Sequence, residues 1–177
     1  MIRFTLLFIA VMTMACQSPE QKTDFESERI SKTASFIVHA SIDKVFPLFG
    51  PIREKEWAAG WEPEIVFSNS TEVEEHMIFK TSGKHHSEEF LWTVTQFRPE
   101  DYLIEYTVST SERIWFIRVH CQAKDKETLA TVSYTYTGLN NPGNRKNREA
   151  LNKMFAHNLT DWEEAINHYI QTGKQLH

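Results

Sequence analysis

Leu151-Asn152-Lys153-Met154-Phe155-Ala156-His157-Asn158-Leu159-Thr160-Asp161-Trp162-Glu163-Glu164-Ala165-Ile166-Asn167-His168-Tyr169 is the stretch that decides the fold. Leu151, Phe155, Asn158, Leu159, Trp162, Ala165, Ile166 and Tyr169 recur at three- and four-residue steps, the period of a helix with one apolar face. Lys153, Thr160, Glu164, Asn167 and Gln171 fall on the other side, so the spacing predicts one dry face and one wet one. Asn141 before Pro142 reads as N-cap and first helical position, and Gly173 before Lys174 as the stop. The helix so bounded would be about 40 Å long, enough to cross a small sheet.

Working back from that helix, the chain reads as strand after strand. Leu129 to Thr137 alternates Ala130, Val132, Tyr134 and Tyr136 against Thr131, Ser133, Thr135 and Thr137. Before it, Lys124-Asp125-Lys126-Glu127 reads as a hairpin turn, and Arg113 to Gln122 places Trp115, Ile117, Val119 and Cys121 on one side. Tyr102, Ile104, Tyr106 and Val108 form another inward set, and Phe90, Trp92 and Val94 another. Glu74 to Thr81 and Glu64 to Ser68 read as two further strands. Near the start, Ser35 to Ala40 is a strand, Ser41 caps a short helix, and Ile52 to Trp57 can add a helical turn after Gly50-Pro51. Short turns between consecutive strands mean an antiparallel sheet with one dry face, and the C-terminal helix is the available cover. The expected fold class is α+β, a helix-grip: a seven-stranded curved antiparallel sheet wrapped around a long C-terminal helix, with two short helices after strand one.

The first residues stand apart. Arg3 is followed by an uncharged run from Phe4 to Ala15, short for a membrane span but suited to a signal-peptide core. It ends in Thr13-Met14-Ala15-Cys16, which resembles a bacterial lipoprotein signal with Cys16 as the lipidated residue. The expected organisation is a signal peptide over 1–15, a flexible tether over 16–32, the domain over 33–173 and a tail over 174–177. Localisation follows as exported, in the cell envelope and anchored at Cys16, with a periplasmic or secreted form as the alternative.

In 177 residues, 41% hydrophobic content supports a real core, and two cysteines are too few for a disulfide scaffold. A formal charge of −5 argues against nucleic acid as a partner. Membrane contact would come only through the N-terminal lipid or signal anchor. Oligomeric state cannot be read from these residues.

Ser35-Phe36-Ile37-Val38-His39-Ala40-Ser41-Ile42-Asp43-Lys44-Val45-Phe46, with its strand and apolar-x-x-Val-Phe helix start, resembles the START-like superfamily. That superfamily (SRPBCC) takes in the birch-pollen-allergen type, polyketide cyclases and lipid-transfer domains. Pro51-Ile52-Arg53-Glu54-Lys55-Glu56-Trp57, Gly60-Trp61-Glu62-Pro63, Trp92-Thr93-Val94-Thr95 and Ala165 to Gly173 are similar to segments of an uncharacterised bacterial branch. The resemblance runs from about Thr33 to Thr172. It implies the helix-grip fold and no shared catalytic motif, because one scaffold hosts many functions.

A bent sheet under a straight helix leaves a gap, and the gap sets the candidate site. Trp57 and Trp61 flank its expected mouth; Trp92, Tyr106, Trp115, Tyr134, Phe155 and Trp162 point inward. Each of these aromatics could equally be plain core. Asn158 is the one polar residue in the dry stripe and the favoured polar contact, unless it bonds a strand. His85 and His86 belong to the rim. No metal or other cofactor is expected: His-His-x-Glu lacks the fixed spacing of known sites, and His157, Asp161, Glu164 and His168, though aligned at helical spacing, sit beside the polar side and read as a solvated helix surface. The expected partner is a small hydrophobic molecule such as a lipid, fatty acid or polycyclic aromatic. One alternative is a cyclase- or dehydratase-type enzyme moving protons with cavity tyrosines or a rim histidine, although no acid/base pair stands out. Another is a surface interaction module without a functional cavity.

Overall fold

The structure is a computed structural model that describes residues 25–82 and 88–176. Signal peptide, Cys16, His85 and His86 lie outside the described residues. Seven strands form one antiparallel sheet: β1 (Arg29–Val38), β2 (Glu64–Phe67), β3 (Ile78–Ser82), β4 (Glu89–Arg98), β5 (Leu103–Ser109), β6 (Arg113–Lys124) and β7 (Glu127–Gly138). Their spatial order is β1-β7-β6-β5-β4-β3-β2, so every strand from β2 to β7 lies beside its sequence neighbour and β1 closes on β7. Two short helices, α1 (Ile42–Val45) and α2 (Pro51–Glu54), follow β1 with a 3-10 turn at Phe46–Phe49 between them.

The period-two code of the strands is obeyed. Trp115, Ile117, Val119 and Cys121 of β6 and Ala130, Val132, Tyr134 and Tyr136 of β7 are all buried on the concave side. The opposite face of β7 does more than stay wet. Thr131, Ser133 and Thr135 each meet a hydroxyl of β1, namely Ser35, Thr33 and Ser31, at 2.8 Å. Cross-strand hydroxyl pairs of this kind help fix register. β1 begins at Arg29 rather than near Ser35, inside the stretch expected to be tether, because β7 is long enough to pair it from Thr137 onward.

The C-terminal cover differs from a single 40 Å rod. It is two helices, α3 (Asn141–Met154) and α4 (Thr160–Thr172), broken over Phe155 to Leu159. Asn158 and Leu159 both have left-handed backbones, φ 52° and 61°. Asn adopts that conformation readily, whereas Leu is strained there. Burial offsets the strain: Leu159 is 0% exposed and Phe155 is buried one turn earlier, while His157 and Asn158 face outward. Asn140, one residue before the expected cap, accepts the Gly143 N–H at 2.8 Å. Gly173 ends α4 with φ 67°, where the sequence places the stop.

Two close approaches dock this arm. A Cβ on Gly143 would lie 1.9 Å from the Glu112 carbonyl oxygen, and one on Gly138 would lie 1.9 Å from Asn144 Oδ1, so α3 can start only over glycine. Asn167, expected on the wet face of the helix, instead clamps α4 to the edge strand. Its Nδ2 donates to the Ile37 carbonyl at 2.9 Å and its Oδ1 accepts the His39 N–H at 2.8 Å.

Candidate functional site

Between the concave sheet and the helical cover lies a cavity of about 630 Å³. Its walls come from the ends of β3 and β4 (Thr81, Phe90, Trp92), from β6 and β7 (Arg113, Trp115, Tyr134, Tyr136), and from Ala150, Met154 and Trp162 of the cover. Glu54 and the loop after α2, through Trp61 and Glu62, complete it. A void of about 20 Å³ opens deeper in, bounded by Glu54, Trp92, Tyr106, Tyr134 and Trp162 among others.

The aromatic residues form a connected lattice. Trp61 meets Trp92 edge-on at 5.2 Å, Trp115 stacks on Tyr136 at 5.3 Å, and Tyr134 meets Trp162 edge-on at 6.5 Å. Edge-to-face and offset contacts at such spacings fix ring orientation as well as burying area. Tyr134 and Trp162 thus touch across the interior without closing it.

The expected site residues divide into three groups. Trp61, Trp92, Trp115, Tyr134 and Trp162 line the cavity. Trp57, Tyr106 and Phe155 belong to the packing behind it. The Trp57 indole donates to the Leu48 carbonyl at 2.8 Å and its ring stands against Trp162; the Tyr106 hydroxyl donates to the Phe49 carbonyl at 2.7 Å; Phe155 packs edge-on against Tyr134. Asn158 is exposed in the break between α3 and α4, away from the cavity.

The residue that sequence reasoning missed is Glu54. It ends α2, and its carboxyl is enclosed by protein although the residue is partly accessible through the cavity. Among the described residues it has no hydrogen-bond or ion-pair partner. Its neighbour Arg53 points to Glu56 in a two-pronged ion pair, Nε to Oε1 at 3.0 Å and Nη2 to Oε2 at 2.8 Å. Glu56 also accepts the Tyr169 hydroxyl, which ties the turn after α2 to α4. Burial without compensation pushes the Glu54 carboxyl up to about 8. Desolvation disfavours the charged form, so the acid holds its proton at neutral pH. Burial likewise raises the Tyr106 and Tyr134 phenols well above their usual range.

Arg113 is the cavity's buried cation. It is 8% exposed, donates to Glu88 at 3.0 Å, and lies over the Trp115 ring at 4.9 Å. Cys121 is buried and its thiol is pushed up to about 12, which keeps it protonated and unreactive. Among the described residues no cluster of His, Cys, Asp or Glu could hold a metal ion.

No protein-family model matches the chain, and no curated protein matches it in sequence. Solved structures do. A norcoclaurine synthase from Thalictrum flavum, in complex with dopamine and hydroxybenzaldehyde, superposes with TM-score 0.58 at 14% identity, covering 92% of this chain and 96% of that one. The protein Ara h 8.0201 gives 0.56 at 15% identity over 82% of this chain and 99% of that one. DynU16, a protein of the dynemicin biosynthetic locus, gives 0.56 at 16% identity over 81% of this chain and 48% of that one. Seven antiparallel strands, short helices after the first and a helical cover at the C-terminus are the common frame, and with them this chain has the START-like helix-grip fold of the birch-pollen-allergen type.

Proposed function

We propose that the protein binds a small, largely apolar molecule in the cavity between sheet and cover. The observation that carries this reading is the cavity itself, about 630 Å³ walled by Trp61, Trp92, Trp115, Tyr134 and Trp162. That volume suits a ligand of drug size, and few fixed polar groups among many rings favour shape over exact chemistry. Burying about 400 Å² of ligand would release on the order of 10 kcal/mol. Losses of motion and solvation reduce this to a micromolar-class affinity.

The test is native mass spectrometry of the purified protein for a co-purified molecule, paired with Ala150→Trp, which fills the cavity from α3. The reading expects a bound small molecule that Ala150→Trp excludes. A protein that binds no small apolar compound, or binds it equally well with the cavity filled, overturns it.

A second reading is catalysis by proton transfer. Glu54 favours it, as a carboxyl that keeps its proton near neutral pH beside the Tyr134 phenol. Turnover lost in Glu54→Gln with ligand affinity kept would select it over simple binding. Export and lipid anchoring are part of the same proposal: Cys16→Ser should move the protein from the membrane to the soluble fraction.

A further inference from the structure

The charges around this cavity do not balance. Glu54, Glu62 and Arg113 are the charged side chains among its described lining residues. Glu88 already engages Arg113, so the cation answers a carboxylate outside the cavity lining. Arg53 is turned to Glu56, and Lys55 is exposed.

β6 contributes Trp115 and the one cation of the lining, Arg113, which is engaged by Glu88; the other elements around Glu54 bring no positive charge. Tyr106 faces it from β5 and Tyr134 from β7, both neutral phenols. β3 and β4 contribute Thr81, Ser82, Phe90 and Trp92; α3 contributes Ala150 and Met154. From α4 come Trp162 and, acting on Tyr134, the acidic Asp161. What surrounds the carboxyl instead is aromatic surface: Trp92, Tyr134 and Trp162 bound both the main cavity and the void beneath it.

We propose that the cavity's ligand is an organic cation, an amine whose ammonium group sits against Glu54 among the rings of Trp92, Tyr134 and Trp162. The inference rests on the cavity being a small-molecule site. Ring faces carry negative potential and attract a cation, an effect that grows when water is excluded. A carboxylate in such a place is costly alone and favourable once a positive charge meets it. A neutral ligand supplies no such charge. The chain's net charge of −5 adds long-range attraction of the same sign.

Ammonium binding must displace the carboxyl proton, and this makes the proposal testable without identifying the natural ligand. Isothermal titration of the protein with 2-phenylethylamine and with 2-phenylethanol, between pH 6 and pH 8, separates charge from shape. The amine's affinity should rise roughly tenfold per pH unit below the Glu54 titration and flatten near it, with about one proton released per ligand at the acid end. The alcohol should show neither slope nor release. Glu54→Gln should remove the slope and weaken the amine about tenfold or more at pH 8, with the alcohol unchanged. Amine and alcohol binding alike, without slope, overturns this proposal and leaves the cavity reading standing. Failure of both compounds to bind overturns the two together. The wild-type slope and proton release decide the matter even if the variant does not fold.

Discussion

Arg113 and Glu54 line one cavity, and their surroundings treat them in opposite ways. Arg113 has a carboxylate at 3.0 Å and an indole face at 4.9 Å. Glu54 has rings and phenols and, among the described residues, no partner. The first is a structural charge, tied down when the chain folds. The second stays without a counter-charge among the described residues. Burial alone therefore does not distinguish these two charges; what does is whether a counter-charge meets them.

Titrating stability breaks or sharpens the contrast most strongly. The unfolded Glu54 loses its proton near the ordinary value of 4.5 and the folded one near 8, so the native state binds more protons between those limits. Stability contributed by this group is therefore full below about pH 4.5, falls as pH rises, and levels off above about 8. Glu54→Gln removes that fall. Relative to the wild type, and comparing pH 9 with pH 4, it should gain about 3 to 5 kcal/mol in urea unfolding. A wild type and variant with parallel pH profiles would place Glu54 in solvent.

Arg113→Met should have the reverse sign and a smaller size. It strands Glu88, but Lys146 stands 3.6 Å from the same carboxylate and relieves it in part. A loss of about 2 kcal/mol at pH 7, below the usual cost of halving a buried pair, is the expected outcome. No loss would mean that Lys146 alone compensates.

The two tyrosines repeat the comparison without charge. Tyr106→Phe removes a buried bond to the Phe49 carbonyl and leaves that acceptor orphaned, which should cost about 1.5 kcal/mol. Tyr134 has no hydroxyl partner among the described residues, so Tyr134→Phe should change stability by less than about 0.5 kcal/mol while altering ligand affinity. Asn147 of α3 is 1% exposed and, among the described residues, both of its amide atoms are unpaired. Asn147→Leu should gain about 1 kcal/mol, read by the same unfolding measurement.

Most of the fold was legible because it rests on local periodicity. Alternation in Leu129 to Thr137 and Arg113 to Gln122 gave both strands and their faces, and Gly173 gave the end of the cover. The break at Phe155 to Leu159 was not, since Asn158 fits the helical stripe by spacing while its backbone is left-handed. Asn167 shows the same limit: a polar residue on the far side of a stripe looks solvated until an edge strand is known to pass it. In the site, Trp92, Trp115, Tyr134 and Trp162 reach the cavity because inward direction follows from strand alternation and helix period, while Trp61 reaches it from the loop after α2. Glu54 could not be found that way. It sits among Arg53, Lys55 and Glu56 in a run that reads only as one more helical turn, and only the tertiary structure shows that Glu54 faces the cavity.

The account turns on that carboxyl keeping its proton in the free protein. Carbon-13 NMR titration of the Glu54 side chain, assigned by its disappearance in Glu54→Gln, measures this directly. The structure predicts a midpoint near pH 8. A midpoint near the ordinary value of 4.5 would mean that the group is hydrated or paired, and the cavity would lose the feature that gives it a chemistry.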